Sequence, residues 1–197
     1  MNYSDAIDYG KKNLKNNNID TYEIDSELLL SKILNLSRER VLINLNNKLN
    51  KKYFHNYKKL ILRRKLLEPI AYILKKKEFW KNMFFIDYDA LIPRPETEII
   101  VEEALKSISN ERSINILDIG TGSGCIIISL IKDRPNCYGT AIDICKKALK
   151  IAIYNAKIHH LGNKIKFINI DIDKFKDYKY DFIVSNPPYI NNFNLKR

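Results

Sequence analysis

The sequence predicts an α/β fold in which a doubly wound parallel sheet follows a small helical bundle and a β-hairpin linker. Three observations lead to this prediction. After about residue 114, strand-like and helix-like apolar segments alternate strictly, as they do in parallel sheets. Before about residue 67, apolar residues recur at helical spacing, with no glycine between Gly10 and Gly120 and no proline before Pro69. Between these regions the chain is rich in aromatic residues and proline.

We place the helical bundle at residues 1–67. Ser4, Ser26 and Ser37 each precede an apolar-periodic segment and are candidate N-caps. The last segment, NKKYFHNYKKLILRRKLL, sets aromatic and aliphatic residues among lysines and arginines. Because these segments carry apolar faces at helical spacing, we expect a packed bundle rather than a disordered tail.

We place the linker at residues 68–95. Its sequence favours a short helix, then a hairpin through Phe79–Trp80 and Phe84–Ile86, then an extended segment stiffened by Pro93 and Pro95. The third predicted domain covers residues 96–197 and opens with a helix.

Four apolar strands follow, interleaved with helices, and their sequences are INILDIG, CYGTAIDI, KIKFINID and YDFIVSN. In doubly wound sheets the first strand, which carries the glycine-rich turn, is central and the fourth lies beside it, and we expect the same order here. Only eight residues follow the motif NPPY. The fourth strand is therefore expected to be an exposed apolar edge of an incomplete sheet, and the chain a C-terminally truncated copy.

The composition limits the classes of protein to which this chain can belong. No apolar run is long enough to cross a membrane, and no secretory signal precedes the first helix, so we expect a cytoplasmic protein. The three cysteines have no metal-type spacing and are interpreted as buried free thiols, with no metal site. The net charge of +11 suits an RNA-rich or ribosome-associated partner, but a general bias toward lysine would raise it equally.

The first chemical motif joins the first strand to its helix. Asp118 opens it, and the pattern G-x-G-x-G follows as Gly120, Thr121, Gly122, Ser123 and Gly124. Glycine permits positive φ and close approach of a ligand, while the following helix presents free N–H groups. Asp143 ends the next strand, where a carboxylate can accept ribose hydroxyls. This context favours nucleotide-type binding over an ordinary strand-to-helix turn.

The second motif, NPPY, follows the fourth strand as Asn186, Pro187, Pro188 and Tyr189. An amide or exocyclic amine nitrogen is a poor nucleophile because its lone pair is delocalised into the π-system. The Asn186 side-chain oxygen and the Pro187 carbonyl could accept its N–H groups and localise that lone pair, while the prolines hold the acceptors in place. Tyr189 could stack on a planar substrate group. The alternative is a Pro-Pro turn that only ends an edge strand.

Over residues 114–191 this combination resembles the class I S-adenosylmethionine-dependent methyltransferases. The resemblance implies that Asp118 and the glycine loop hold the methionine part of S-adenosyl-L-methionine, that Asp143 holds the ribose, and that Asp171 or Ile172 borders the adenine. Asn186 would lie beside the cofactor and the substrate.

NPPY resembles the signature of methyltransferases that act on planar nitrogen. The upstream segments EPIAY, EFW and IPRPETE resemble the HemK/PrmC family, whose members methylate the glutamine of the Gly-Gly-Gln motif in class I peptide chain release factors. The resemblance covers nearly the whole chain and implies that residues 1–67 dock the substrate. From the residues themselves, Arg94 and Glu96 lie on a proline-stiffened bridge that leads toward the NPPY residues. They could pair with each other, shape the substrate channel, or belong only to a surface bridge before a capped helix.

Two departures from the family pattern stand out. Lys75 occupies a position where the family usually has glycine, and Ile172 or Asp173 stands where an aromatic residue often borders the adenine. We expect a monomer. Two alternatives stay open: a nucleic-acid amino-methyltransferase of the adenine type, and an inactive remnant that only binds its partner.

Overall fold

The computed structural model describes residues 1–176 and 179–187 of the chain. Contacts divide it into two compact units, Met1–Lys75 and a second that begins at Lys76. The domain boundaries predicted after residues 67 and 95 stay predictions. The helices of the first unit are α1 (Tyr3–Lys15), α2 (Tyr22–Leu34), α3 (Arg38–Ile43), α4 (Lys51–Lys65) and α5 (Ile70–Leu74).

The first unit is a helical bundle built around α1, α2 and α4, which pack against one another. Close approach of α1 to α4 depends on Gly10, because a Cβ there would lie 2.0 Å from the Tyr57 hydroxyl oxygen. That buried hydroxyl donates to the Ser26 carbonyl oxygen at 3.1 Å. The core is aliphatic, with fully buried Leu14, Leu29, Leu30, Val41 and Ile61.

One of the three predicted N-caps is confirmed. Ser37 caps α3, where its hydroxyl accepts from the Arg40 N–H. The prediction was wrong for Ser4, since Asn2 caps α1 in a reciprocal capping box with Asp5. It was also wrong for Ser26, which is buried inside α2 and donates to the Tyr22 carbonyl. There the helix begins one turn earlier than the apolar periodicity indicates.

The second unit contains a hairpin and a parallel sheet. Its strands are β1 (Lys76–Phe79), β2 (Asn82–Phe85), β3 (Asn115–Ile119), β4 (Tyr138–Asp143), β5 (Ile165–Asn169) and β6 (Phe182–Ser185). Its helices are α6 (Glu98–Ser107), α7 (Cys125–Asp133) and α8 (Lys146–Ile158), with single 3-10 turns at Pro95–Thr97 and Ile172–Lys174. Strands β1 and β2 pair antiparallel, and the larger sheet has the parallel order β5-β4-β3-β6. The predicted central position of the first strand, with the fourth beside it, is confirmed.

Helices α6, α7 and α8 lie side by side, because α7 contacts both of the others. The two right-handed crossovers, β3–α7–β4 and β4–α8–β5, place α7 and α8 on one face of the sheet. Gly139 of β4 lies directly beneath α7, since a Cβ there would lie 2.9 Å from Ile127. In the described residues, β6 pairs only with β3, so the predicted edge strand is confirmed. Its Val184 is buried, whereas Ile183 is 58% exposed.

Two expectations from the sequence concern the burial of the cysteines and the turn at Lys75. All three cysteines are free, but only Cys125 and Cys137 are buried, whereas Cys145 is exposed. Lys75 ends α5 in the left-handed conformation with φ 58°. A glycine would adopt this conformation without strain, which gives a physical reason for glycine at this position in the family.

Candidate active site

The glycine loop is tied to the end of β4. The N–H groups of Gly120 and Thr121 both donate to the Ile142 carbonyl, at 2.9 and 3.0 Å. Gly120, Gly122 and Gly124 have φ values of +70°, +55° and +80°. Nothing lies within 4 Å of a Cβ built at Gly120, so this position requires glycine for its backbone conformation rather than for space.

Gly124 requires glycine for both reasons. A Cβ there would lie 3.2 Å from the Ala152 Cβ on α8. The small Ala152 side chain thus lets the loop approach α8 closely. The loop is seated on α8 before α7 begins at Cys125.

Asp118 is a buried acid with an incomplete set of partners. Its Oδ2 accepts from the Thr121 hydroxyl at 2.7 Å, while its buried Oδ1 has no hydrogen-bond partner among the described residues. Burial raises the pKa of Asp118 to about 6, the Thr121 hydroxyl and the nearby backbone N–H of Ile127 oppose that rise, and the charge of Asp143 adds to it. A buried oxygen without a partner favours a donor or a cation supplied by a ligand.

Asp143 is oriented by two backbone donors. Its Oδ2 accepts from the Gly122 N–H at 2.9 Å, and its Oδ1 accepts from the Cys145 N–H at 2.8 Å. The carboxylate therefore links the glycine loop to the start of α8. Each of its oxygens keeps a second lone pair for a ligand hydroxyl.

Two cavities adjoin the carboxyl ends of the strands, and they share Leu91, Gly120, Gly122, Asn186 and Pro187 in their linings. The first, of about 280 Å³, is also lined by Arg94, Thr97 and Ser123. The second, of about 460 Å³, is also lined by Asp143, Asp171 and Ile172. The two cavities are therefore adjacent, and together they are called the cleft, whose lining is largely apolar.

Asn186 follows β6 and is oriented by Thr97. The Asn186 Nδ2 donates to the Thr97 hydroxyl oxygen at 3.0 Å. Because Nδ2 is engaged, the Asn186 Oδ1 is left as the acceptor that this amide can offer to a ligand. Thr97 is 7% exposed, so the bond lies largely out of water.

Residues 86–97, here called the wall segment, join β2 to α6 and line the cleft. The hairpin before it is fixed at its turn. There the Trp80 N–H donates to Glu98 Oε1 at 2.9 Å, and the Trp80 indole donates to Asp133 Oδ2 at 2.7 Å. The hairpin turn is thus held to the start of α6 and to the end of α7.

A buried amide on α8 holds the start of the wall segment. Asn155 is fully buried, accepts from the Phe85 N–H at 2.8 Å and donates to the Phe85 carbonyl at 3.0 Å. Its Nδ2 also donates to the Ser123 carbonyl in the glycine loop at 2.8 Å.

Most of the predicted site residues lie in one region. The cleft or its immediate border includes Asp118, Gly120, Thr121, Gly122, Ser123, Asp143, Asp171, Ile172, Asn186, Pro187 and Arg94. Glu96 is exposed on its 3-10 turn and lines neither cavity, and it forms no ion pair with Arg94 among the described residues. Pro188 and Tyr189 lie outside the described residues.

Three residues that position the site were not singled out from the sequence: Thr97, Glu98 and Asn155. The first two stand within the IPRPETE segment, so the motif carried a signal for them. Asn155 has no sequence signal beyond a polar residue on the buried face of a helix.

Within the described residues, no helix is both long and apolar enough to span a bilayer. Across residues 1–176 and 179–187 no group of three or more His, Cys, Asp or Glu side chains could hold a metal ion.

The sheet order, the glycine loop and the strand-end carboxylate are those of a doubly wound α/β protein with a nucleotide-type site at the carboxyl ends of its strands. Residues 97–196, just over half of the chain, match the family described as "Methyltransferase small domain". The chain belongs to this family. Residues 5–74 match the family described as "PrmC N-terminal domain".

Curated relatives match most of this chain. A "Release factor glutamine methyltransferase" of Leptospira interrogans is 41% identical over 182 residues, which cover 90% of this chain and 63% of the relative. One of Buchnera aphidicola is 40% identical, covering 92% and 65%. A "Bifunctional methyltransferase" of Rickettsia prowazekii is 37% identical, covering 86% and 36%. The chain thus spans less than two thirds of the length of these relatives.

Among solved structures, the protein titled "delta-N METTL16 MTase domain" superposes with a TM-score of 0.46 and 24% identity, over 54% of this chain and 51% of that one. A likeness at this level adds nothing to the fold assignment.

Proposed function

We propose that this chain carries the site of a methyltransferase that transfers a methyl group from S-adenosyl-L-methionine to a glutamine side-chain amide. The glutamine would be that of the Gly-Gly-Gln motif in class I peptide chain release factors, which act in the cytoplasm. One observation supports the proposal above others: Asn186 lines a cavity together with the glycine loop, and its amide nitrogen is engaged by Thr97, which leaves the amide oxygen available as an acceptor.

The residues of the cleft fit S-adenosyl-L-methionine. The unpartnered Asp118 Oδ1 matches a ligand ammonium group, which would supply the missing hydrogen bond and charge. Asp143, held by two N–H groups, has lone pairs left for ribose hydroxyls. Asp171 and Ile172 line the larger cavity and would border the adenine. When bound, S-adenosyl-L-methionine would supply an electrophilic methyl group on a sulfonium sulfur.

The substrate amide would be activated by acceptors. Asn186 Oδ1 and the Pro187 carbonyl would each accept one N–H of the glutamine amide, which localises the nitrogen lone pair. As the N–C bond forms, the methyl–sulfur bond breaks and its electron pair stays on sulfur. The extra proton then leaves the nitrogen to water. No residue has to act as a strong base, so the contribution of the chain is alignment and desolvation.

Relatives and family matches support the substrate. Two of the relatives described above are named release factor glutamine methyltransferases. The match of residues 5–74 to the PrmC N-terminal domain supports a docking role for the helical unit. Arg94 lines the smaller cavity, where its guanidinium could contact the backbone of the substrate loop. Glu96 would contribute only from the surface of its turn.

The deciding experiment measures transfer of labelled methyl from S-adenosyl-L-methionine to a purified class I release factor by the 197-residue chain. Asn186→Ala is the loss-of-acceptor variant, and Asn110→Ala, at an exposed loop position, is the matched control. We expect label on the Gly-Gly-Gln glutamine with the wild type and the control, and a loss of about 100-fold or more with Asn186→Ala.

Three results would oppose the proposed function. Label in RNA or DNA but not in protein would favour the nucleic-acid amino-methyltransferase. Binding of the release factor without transfer, by folded chain, would make the chain a binding remnant. Failure of the wild type to bind S-adenosylhomocysteine in calorimetry would remove the cofactor assignment itself.

We further propose that helix α4 contacts RNA near the ribosome, where release factors act. From Lys48 to Lys65 the chain has eight lysines and arginines and no acid. The two arginines of α4 with acidic neighbours are used within the unit, Arg63 with Glu68 and Arg64 with Asp25. The paired lysines at 51–52 and 58–59 are exposed and form no ion pair with the described residues.

Those lysine pairs share one face of the helix. They are seven residues apart, which is two turns and about 10.5 Å along the axis. A stripe of point charges on a fixed scaffold suits a phosphate backbone, which is recognised by charge without sequence preference.

Fluorescence anisotropy with a labelled 20-nucleotide RNA tests this second proposal. Replacing Lys51, Lys52, Lys58 and Lys59 by Gln should weaken binding and reduce the slope of log K against log salt by about 0.7 for each phosphate that is no longer neutralised. The matched control replaces four exposed lysines of the second unit, Lys146, Lys150, Lys157 and Lys166. Equal weakening in both variants would mean diffuse charge and no RNA-binding face.

A further inference from the structure

One buried side chain connects the glycine loop to the wall of the cleft. Asn155 lies in the last turns of α8, is 0% exposed, and uses both its amide oxygen and its amide nitrogen. We propose that Asn155 is a positioning residue that fixes the cofactor loop and the wall segment relative to each other. This inference goes beyond the proposed function, since it concerns how the site is assembled.

On the wall side, Asn155 acts as a substitute strand partner. It accepts the Phe85 N–H and donates to the Phe85 carbonyl, at 2.8 and 3.0 Å. Phe85 is the last residue of β2, so the direction in which the wall segment leaves the hairpin is set at this residue. The Phe85 ring also packs edge-on against Tyr154, with centroids 5.0 Å apart.

On the loop side, Asn155 fixes one peptide plane. The Ser123 carbonyl accepts from Asn155 at 2.8 Å, and the N–H of the same peptide, at Gly124, donates to the Thr121 carbonyl at 2.8 Å. Because both polar groups of this peptide are engaged, the orientation of the glycine loop before α7 is fixed. Ala152, one turn earlier on α8, leaves the space for this close approach.

The chemistry of the amide suits this task. A carboxylate in its place would direct oxygens at the carbonyl oxygens of Phe85 and Ser123, and a longer side chain would not fit a fully buried site. Asparagine supplies one acceptor and two donors in one plane, which matches the three groups that surround it. Loss of the amide would leave buried backbone groups without partners on both sides at once.

Hydrogen exchange measured by NMR on the ligand-free chain tests the proposal directly. In Asn155→Ala, the amides of Phe85 and Gly124 should both exchange at least 10-fold faster than in the wild type. The control, Val101→Ala, removes buried volume from α6 in the same unit and should leave the Phe85-to-Gly124 pattern unchanged after correction for global stability. Faster exchange at Phe85 alone would overturn the proposal, since the loop would then be held by other contacts.

A second measurement does not depend on Asn155→Ala, which could fail to fold, and uses S-adenosylhomocysteine as the probe on the wild type. If the two segments are coupled, saturating probe should slow exchange of the Phe85 amide as well as that of Gly124. The conservative variant Asn155→Asp at pH 7.5 should lose the effect at Phe85. Protection confined to the loop in the wild type would contradict the coupling. If the wild type does not bind the probe, the proposed cofactor is wrong, while the ligand-free exchange experiment still decides the role of Asn155.

Discussion

The two units of this chain bury carboxylates in opposite ways. In the helical unit, Asp25 is 2% exposed and receives the Arg64 guanidinium at 2.7 Å, and Glu27 receives Arg38 at the same distance. In the sheet unit, Asp118 is 1% exposed, has no basic partner among the described residues, and keeps one oxygen without a hydrogen bond.

This difference in pairing distinguishes acids that stabilise the fold from an acid that is suited to bind a ligand. A buried acid paired with arginine is complete within the fold, and its removal costs stability. A buried acid without a cation lowers the stability of the fold and is tolerated where a ligand supplies the missing charge. The comparison thus predicts opposite effects when each kind of acid is neutralised.

The largest effect is expected at the paired acid. Asp25→Ala leaves the half-buried Arg64 guanidinium without its carboxylate partner and should lower the free energy of unfolding by about 3 kcal/mol, the low end for a buried pair. Urea denaturation followed by far-UV circular dichroism measures the loss. Trp80, the single tryptophan, lies in the sheet unit, so its fluorescence reports that unit separately. Asp8→Ala, at an exposed position of α1, is the control, and equal stabilities of the two variants would contradict the role of the pair.

The unpaired acid should respond in the opposite direction. Asp118→Asn removes a buried charge but keeps an oxygen that accepts from Thr121, so the ligand-free chain should gain about 1–3 kcal/mol at pH 7.5. The affinity for S-adenosylhomocysteine should fall about 100-fold, because the variant has no charge to complement the ammonium. Calorimetry and thermal denaturation measure the two effects. A variant that is less stable but binds normally would show that Asp118 is architectural.

The pH dependence sharpens the same contrast. Burial raises the pKa of Asp118 to about 6, so between pH 3.8 and 6 the folded chain binds more protons than the unfolded chain. This group therefore reduces the stability of the ligand-free chain as pH rises through that window. The affinity for S-adenosylhomocysteine should rise through the same window, since only the carboxylate binds an ammonium, and should level off above about pH 7. In Asp118→Asn, the affinity for S-adenosylhomocysteine should not change between pH 3.8 and about pH 7. If the affinity of this variant still rises with pH, the titration belongs to another group.

The strand order and the position of the glycine loop could be predicted from the sequence, but the hydrogen bonds that orient the site residues could not. Alternating segments predict a parallel sheet, the known order of doubly wound sheets orders its strands, and the strand-to-helix glycine loop indicates where Asp118 and Asp143 lie. The bond between Thr97 and Asn186 joins residues 89 positions apart, so no local pattern could reveal it. Its place on the proline-rich segment before α6 suggested Glu96, yet the side chain is exposed and lines neither cavity.

A smaller effect, on the rate of methyl transfer, is expected when Thr97 is replaced. Thr97→Val keeps the shape but removes the hydroxyl that receives the Asn186 Nδ2, so the Asn186 amide can rotate. Methyl transfer should fall about 10-fold in kcat, the equivalent of one hydrogen bond, with little change in affinity for S-adenosylhomocysteine. Thr97→Ser, which restores the hydroxyl, should recover most of the rate. Equal rates for the Val and Ser variants would show that Asn186 is oriented by other contacts.

Backbone strain gives the smallest effect and extends the comparison from charges to conformation. In the helical unit Leu67 follows α4 with φ 62° and a 68% exposed side chain, whereas the glycine loop has Gly122 at φ 55°. Leu67→Gly should raise the stability by about 0.5–1 kcal/mol, because the left-handed penalty of leucine exceeds the entropy cost of glycine. Gly122→Ala should cost a similar amount, since a Cβ there meets nothing closer than 4.0 Å and only the conformation opposes it. Urea denaturation measures the change in the free energy of unfolding for both variants. A loss of stability in Leu67→Gly would mean that the leucine side chain contributes packing that outweighs its strain.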